Sequence, residues 1–268
     1  MNSKMKKIYD YSINESAETK RQFENCYSEK FVSAAALMPD AHLGYVAPIG
    51  SVLITKNVVV PAWVGFDIGC GVIALHLKGK DILSKIKKNI ENIYLEVNKK
   101  VPMGVGETNK KENIAEKTKK EFSKLIENFQ KGEYDKEILN FLKNTALNHV
   151  GTLGGGNHFI EVGACKNEAW LIIHSGSRGI GHRVAKKYMI KASSSEKNYE
   201  KTSPLDINSK IGKEYLSILE FGLGYALLNR LEMSYRVIGA IESIIKEKIK
   251  AELWVNKNHN HALHIKEG

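Results

Sequence analysis

A chain of 268 residues can bury the core of one large domain or two small ones, and 43% hydrophobic with 8% aromatic content excludes a collagen, a mucin-like stalk and global disorder. A formal charge of +10 favours anionic partners such as nucleic acid or nucleotides, although much of the excess is lysine between Asp81 and Lys143, where it can as well be a solvated helix face. Three cysteines, Cys26, Cys70 and Cys165, are too few and too odd for a disulfide framework and fit a reducing cytoplasm. Met1–Tyr9 is polar and Lys-rich, unlike a secretory leader, and no apolar run approaches the ~20 residues that span a bilayer.

In chain order, Val52–Val60 is apolar and β-branched around Lys56-Asn57 and predicts a strand or hairpin. Gly71–Leu77 predicts a buried strand. Ile82, Leu83, Ile86, Ile90, Ile93 and Val97 recur at helical spacing, and a second charged helix carries Phe122, Leu125, Ile126 and Phe129 on one face, with a loop over 104–113 between them. His158–Gly163 and Ala169–His174 predict two strands joined by a turn at Lys166-Asn167. Arg183–Ala192 predicts a short helix, and Ser193–Ser203 a surface loop ending before Pro204. Leu227, Leu231, Tyr235, Ile238, Ile241, Ile245 and Ile249 form the packing stripe of a long helix, and Leu253–Val255 returns to strand. Strands and helices mix without regular βαβ alternation, so the predicted class is α+β.

The side chains able to bind metal sit in short, mostly glycine-rich segments. Met38-Pro39-Asp40-Ala41-His42-Leu43-Gly44 brackets an Asp and a His between Pro and Gly; alone it reads as a turn with a capping Asp. Within Pro61 to Gly71, Asp67 and Cys70 are three apart with Gly69 and Gly71 flanking the thiol, so both side chains can converge on one point. A thiolate can bridge two metals, and mixed S/O/N ligation suits Zn, Mn, Co or Fe; the plainer reading is a buried free Cys. Gly151-Thr152-Leu153-Gly154-Gly155-Gly156-Asn157-His158-Phe159-Ile160-Glu161 exposes successive backbone N–H groups suited to phosphate, without the Lys of a Walker A loop. In His174-Ser175-Gly176-Ser177-Arg178-Gly179 a His ends an apolar strand and the Arg can grip a phosphate. Asn258-His259-Asn260-His261 alone reads as a polar turn; His261 and His264 read as surface residues.

Together these segments resemble the RtcB family of RNA-splicing ligases. The matching residues are Pro39 to Gly44, Val64-Gly65-Phe66-Asp67-Ile68-Gly69-Cys70-Gly71, Gly151 to Glu161, His174 to Gly179, Asn229-Arg230 and His259-Asn260, in the family's order and over most of the chain. The resemblance implies a single RtcB-like catalytic domain over residues 1–268 around a dinuclear site. It implies that Cys70 bridges two Mn ions, that Asp67 and His158 complete the first ion's protein ligands, and that His174 and His259 complete the second's. Asn157, His158, Phe159, Ile160 and Glu161, with His259 and Asn260, would lie against the guanine nucleotide. Arg178, Asp40 and His42 would face the RNA ends. Matching positions, not ligand chemistry, select Mn over Zn.

The implied activity is a GTP- and Mn-dependent ligation of an RNA 3′-phosphate, or an opened 2′,3′-cyclic phosphate, to a 5′-hydroxyl, in tRNA splicing or RNA repair. An active-site histidine is guanylylated, GMP passes to the 3′-phosphate, and the 5′-hydroxyl expels it. RNA and GTP are the expected partners, with an activating protein a further candidate. In the family the accepting histidine and a Ser-His-Gly-Ala-Gly-Arg-like segment lie in a C-terminal section. No such segment occurs in this sequence, where nine residues follow His259, so the expectation is a C-terminally truncated form. Two other functions stay open on the same residues, a ligation-incompetent metal- or RNA-binding homologue and a metal-dependent phosphoesterase.

Overall fold

A computed structural model describes residues 6–265, so the first five residues of the Met1–Tyr9 segment and the last three of the chain lie outside the described residues. In chain order the elements are β1 (Lys7–Asp10), α1 (Ala17–Tyr27), β2 (Val32–His42), β3 (Ile49–Thr55), β4 (Val58–Val59), α2 (Pro61–Val64), β5 (Gly71–Lys78), α3 (Ile82–Lys88), α4 (Ile90–Lys100), α5 (Glu116–Phe129), α6 (Lys136–Thr145), β6 (Phe159–Cys165), β7 (Glu168–Ser175), α7 (Gly179–Ser193), β8 (Leu205–Asp206), α8 (Lys210–Ile245) and β9 (Lys250–Asn258). The class is mixed α+β, as the sequence predicts. Two compact units are present, Met1–Phe66 with Val184–Leu216, and Asp67–Arg183 with Ser217–Gly268.

In the first unit β1, β2 and β3 form one sheet, β1 parallel and β3 antiparallel to β2. Helix α1 starts at Ser16, whose hydroxyl accepts the Thr19 N–H. It packs Phe23 against Val32, Ala35, Leu37 and Ala41. Of the strand or hairpin expected over Val52–Val60, strand forms, in β3 to Thr55 and in β4, and the hairpin does not. The Thr55 hydroxyl does close a turn onto the Val58 carbonyl at 2.6 Å, with Asn57 at φ 54°. Only Val58 and Val59 then pair before Pro61, which lacks an N–H and opens α2, and their partner is β8 instead of β3.

The second unit is built on a four-stranded antiparallel sheet in the order β6-β7-β5-β9. Ile73, Leu75 and Leu77 of β5 alternate inward beside Ala169, Leu171 and Ile173 of β7. The β6–β7 turn is the predicted one: Lys166 and Asn167 both have positive φ, 47° and 67°, the pairing a two-residue hairpin needs to match strand twist.

Ile82 to Val97 forms two helices rather than one. Asn89, at φ −118° and ψ 18°, ends α3 and begins α4, and Ile90 is left exposed instead of buried. In α5, Phe122, Ile126 and Phe129 are buried as expected, with Leu125 half-buried. Helix α6, capped by the Asp135 carboxylate, was not predicted; its buried Ile138, Leu139 and Leu142 lie in a strongly charged stretch.

Helix α8 bears out the predicted stripe in part. Leu231, Ile238 and Ile245, half-buried, pack on the core with buried Ile241 and Ile249, whereas Leu227 is only half-buried, Tyr235 is exposed, and Ile249 falls beyond the helix end. The buried line runs through Ala226, Asn229, Arg230, Met233, Val237, Ala240 and Ile241. A purely apolar search misses it because two of its central positions are polar.

Candidate metal centre

Four segments of the second unit meet at one end of its sheet. The Asp67–Cys70 loop leads into β5, with the Cys70 N–H donating to the Asp67 carbonyl at 3.0 Å. Gly69 has φ +74°, and a Cβ there would stand 2.8 Å from the Ala226 methyl, so glycine is needed both for the turn and for the approach of α8. Strand β9 delivers His259, whose N–H donates to the Cys70 carbonyl at 2.8 Å. Asn260 Nδ2 donates to the Asp67 carbonyl at 2.8 Å and its own carbonyl accepts the Gly69 N–H. In the sheet register His174 of β7 stands opposite Val72 on one side and Phe159 on the other.

The donor atoms converge. Cys70 Sγ lies 3.0 Å from His174 Nε2 and 3.8 Å from His158 Nε2. His158 Nε2 is 2.9 Å from Asp67 Oδ2, and His174 Nε2 is 3.2 Å from His259 Nε2. Two groups result, Cys70/His174/His259 and Asp67/Cys70/His158, each with its ligand atoms within 4.8 Å of one another and with Cys70 common to both. Donors bound about 2.0–2.3 Å from one ion stand roughly 3–4 Å apart, so this donor set fits a transition-metal ion.

Each of two imidazoles is oriented from behind. His158 Nδ1 faces the Leu153 carbonyl at 3.1 Å, and His174 Nδ1 faces the Asn157 carbonyl at 3.0 Å. A carbonyl only accepts, so each Nδ1 carries a proton, and with a metal bound each Nε2 would offer its lone pair to the cluster.

The protonation states complement this geometry. Burial opposes ionisation of Asp67, but the hydrogen bond and charge contact with His158 outweigh it and hold the carboxyl below its ordinary range. Burial first, and the Asp67 carboxylate second, push the Cys70 thiol well above its usual value. Cys70 is therefore a thiol in the metal-free protein, and a bound cation would displace its proton. Desolvation lowers Arg230 to about 10, partly offset by its attraction to Cys70 and Asp67.

The other predicted site residues fall as follows. Arg178, half-buried at φ 61°, donates through Nε to the Thr152 hydroxyl at 3.0 Å. Its guanidinium fills the space beside Gly154, where a Cβ would meet Nη1 at 1.6 Å. Phe159 and Glu161 are exposed on the sheet face that carries His174, and the Phe159 ring centroid lies 5.5 Å from that of His174. Ile160 points the other way and packs on the core, so only its backbone remains available on that face. Asn157 is exposed and Asn260 half-buried.

Asp40 and His42 belong to the first unit. Rather than a simple turn, they lie at the end of β2, where pairing with β3 is irregular between Leu37 and His42 and Pro39 interrupts the ladder. Both are exposed, and His42 Nδ1 stands 2.9 Å from the Asp40 carbonyl. His261 and His264 are exposed, as expected for surface residues. Cys26, Cys70 and Cys165 are all free thiols, and among the described residues no helix is long and apolar enough to cross a membrane.

The sequence reading gave Asn229 and Arg230 no role, yet both are wholly buried beneath the ligand segments. The signal is an amide and a guanidinium side by side on a helix face that Ala226, Met233 and Val237 otherwise keep apolar.

A family model described as "tRNA-splicing ligase RtcB" matches residues 22–267. The RNA-splicing ligase RtcB of Escherichia coli strain K12 is 30% identical, over 95% of this chain and 66% of its own. The tRNA-splicing ligases RtcB of Methanococcus maripaludis and Nanoarchaeum equitans are each 29% identical over 83% of this chain, and over 56% and 55% of their own lengths. The chain thus spans between about half and two-thirds of the length of these relatives.

Proposed function

Because the chain belongs to the RtcB family of tRNA-splicing ligases, we propose that the protein serves in joining RNA ends, its two units acting as one catalytic domain in the cytoplasm. The observation that carries this reading is the sharing of Cys70 between two ligand groups. Asp67, Cys70 and His158 would hold one divalent ion, and Cys70, His174 and His259 a second, with Mn favoured by the family match. Bound there, such ions supply Lewis-acid neutralisation of phosphate charge.

The chain's own residues do the rest. The Leu153 and Asn157 carbonyls hold the imidazoles of His158 and His174 in the tautomer that presents Nε2. Phe159 and Glu161, on the face beside His174, suit a guanine nucleotide: a ring to stack against and a carboxylate to accept from its amino group. The exposed residues Gly155 and Gly156 offer backbone N–H groups to phosphate oxygens. Arg178, Asp40 and His42 are assigned to the RNA ends, Arg178 through charge-assisted hydrogen bonds to the 3′-phosphate. The ligation proposed is GTP-dependent. A histidine takes GMP and releases pyrophosphate, GMP moves to the RNA 3′-phosphate, and a 5′-hydroxyl attacks and expels GMP. No residue of this chain is assigned as that histidine.

The test incubates the full chain with Mn, labelled GTP and an RNA bearing 3′-phosphate and 5′-hydroxyl ends, beside a Cys70→Ala control. Acid-labile protein-bound GMP and sealed RNA, both lost in the control, would support the ligase and place the accepting histidine within this chain. Mn binding without either product would replace the ligase with a metal- or RNA-binding homologue. Cys70-dependent release of phosphate from the RNA 3′ end would replace it with a phosphoesterase.

A further inference from the structure

We propose that Asn229 and Arg230, consecutive on the buried face of α8, are positioning residues that divide the metal centre between them. Arg230 fixes the segments carrying Cys70, His174 and His259, and Asn229 fixes the loop carrying His158. The proposal rests on the reading that these side chains hold metal.

Arg230 spends its guanidinium on the chain neighbours of three ligands. Nη1 donates to the Gly69 carbonyl at 3.0 Å and to the Ser175 carbonyl at 2.8 Å. Nη2 donates to Asn258 Oδ1 at 2.7 Å, and Nε to Asn256 Oδ1 at 2.8 Å. Gly69 precedes Cys70, Ser175 follows His174 and Asn258 precedes His259. The two asparagines are themselves tied to α8, Asn256 Nδ2 donating to the Leu227 carbonyl and Asn258 Nδ2 to the Leu223 carbonyl. One planar group with five N–H donors therefore sets the spacing of three separate strands and loops, which an ammonium on a flexible stem cannot reproduce.

Asn229 works on the fourth segment. Its Oδ1 accepts the N–H groups of Gly151 and Thr152 at 2.7 and 3.3 Å, and its Nδ2 donates to the Thr152 carbonyl at 3.2 Å. Nδ2 also lies 3.3 Å from Ser175 Oγ and 3.2 Å from the Gly176 carbonyl. The Ser175 hydroxyl donates to the Leu153 carbonyl, the same oxygen that faces His158 Nδ1. The path from Asn229 thus ends on the imidazole of His158. Among the described residues, no hydrogen bond of Arg230 reaches the 151–157 loop, and none of Asn229 reaches the Gly69–Cys70 turn or β9. Ser175 is the one residue both touch.

Packing alone does not account for the pair. Burying an amide and a guanidinium in a helix face that Ala226, Met233 and Val237 otherwise keep apolar is costly unless every donor is met. Here the partners are carbonyls and amides of the ligand segments.

The test measures Co²⁺ and Mn²⁺ binding to the full chain by calorimetry, with Co²⁺ absorption bands reporting thiolate and imidazole ligation. His259→Ala and His158→Ala mark which binding event belongs to which group. Arg230→Lys should weaken the event lost in His259→Ala by about 10–100-fold and the other, which shares Cys70, by less, and Asn229→Ala should do the reverse. If Arg230→Lys does not fold, Asn258→Ala removes one acceptor of the guanidinium and is expected to weaken the same event. Folded variants that bind two ions as tightly as wild type, or that weaken both events equally, would overturn the division while leaving the metal reading intact. A wild-type chain that binds neither cation would overturn the metal reading itself, and the division with it.

Discussion

Cys70 Sγ and His174 Nε2 stand 3.0 Å apart across the β5–β7 pair, both side chains almost wholly buried. Cys70 also belongs to the group that contains Asp67 and His158, so its loss should differ in kind from the loss of any histidine. Cys70→Ala is expected to remove both metal-binding events, whereas His259→Ala removes one. Calorimetric stoichiometry with Mn²⁺, beside far-UV circular dichroism to show retained fold, checks this; two ions on Cys70→Ala would contradict it.

The raised thiol of Cys70 makes metal binding pH-dependent. The proton must leave before sulfur can bind a cation, so affinity should fall as pH is lowered, and protons should be released on binding. Repeating the titration in buffers of different ionisation enthalpy counts them. The same shift has a second consequence for the metal-free protein. An acid whose folded pKa lies above its unfolded value stabilises the fold below the unfolded pKa, and loses that contribution as pH rises. From the ordinary thiol value of 9.0 upward, the Cys70 contribution should therefore decline in the metal-free wild type and be missing from Cys70→Ala. Urea unfolding of the two proteins between neutral and alkaline pH reads the difference.

Gly154 and Arg178 share one space. A Cβ on residue 154 would lie 1.6–2.3 Å from three guanidinium atoms, at a φ of +89° that L residues seldom adopt. Gly154→Ala should cost about 1–3 kcal/mol from backbone strain, plus the displacement of Arg178. In a Gly154→Ala/Arg178→Ala double variant the collision is gone, so the combined loss should be smaller than the sum of the single losses. Additive losses in urea unfolding would show that the two residues do not compete.

Glu232 and Arg236 form an enclosed ion pair of the second unit, 3.0 Å apart with side-chain exposures of 1% and 10%. Arg236 also donates to Lys100, Asn109 and Asn113, and Glu232 accepts the Thr118 hydroxyl at 2.6 Å. Arg236→Leu leaves the carboxylate buried without its cation and should destabilise by about 3–5 kcal/mol. Lys124→Ala breaks a pair that is 64% and 45% exposed and should cost under about 1 kcal/mol. Thermal or denaturant unfolding that ranks the two the other way would refute the contrast.

Local pattern explains which parts of the fold were legible in advance. Strand β5 alternates with a period of two, and the β6–β7 turn needs two residues that tolerate positive φ, so neighbouring residues carry both signals. The break at Asn89 was not legible, because Ile82 to Val97 keep helical spacing across it and only packing shows that Ile90 faces out. The hairpin at Lys56-Asn57 failed because the competing partner, β8, lies about 150 residues further along the chain.

The sequence by itself determined the donor types, their placement in short loops at strand ends, and the family. Those are properties of side-chain chemistry and of residues a few positions apart. Tertiary structure alone decided that Asp67 meets His158 from 91 residues away, and that Cys70 meets His174 from 104. It likewise decided that Cys70 belongs to both groups and that Asn229 and Arg230 lie beneath them. Strand register and the seating of α8 fix those distances, and both depend on contacts between segments remote in the chain.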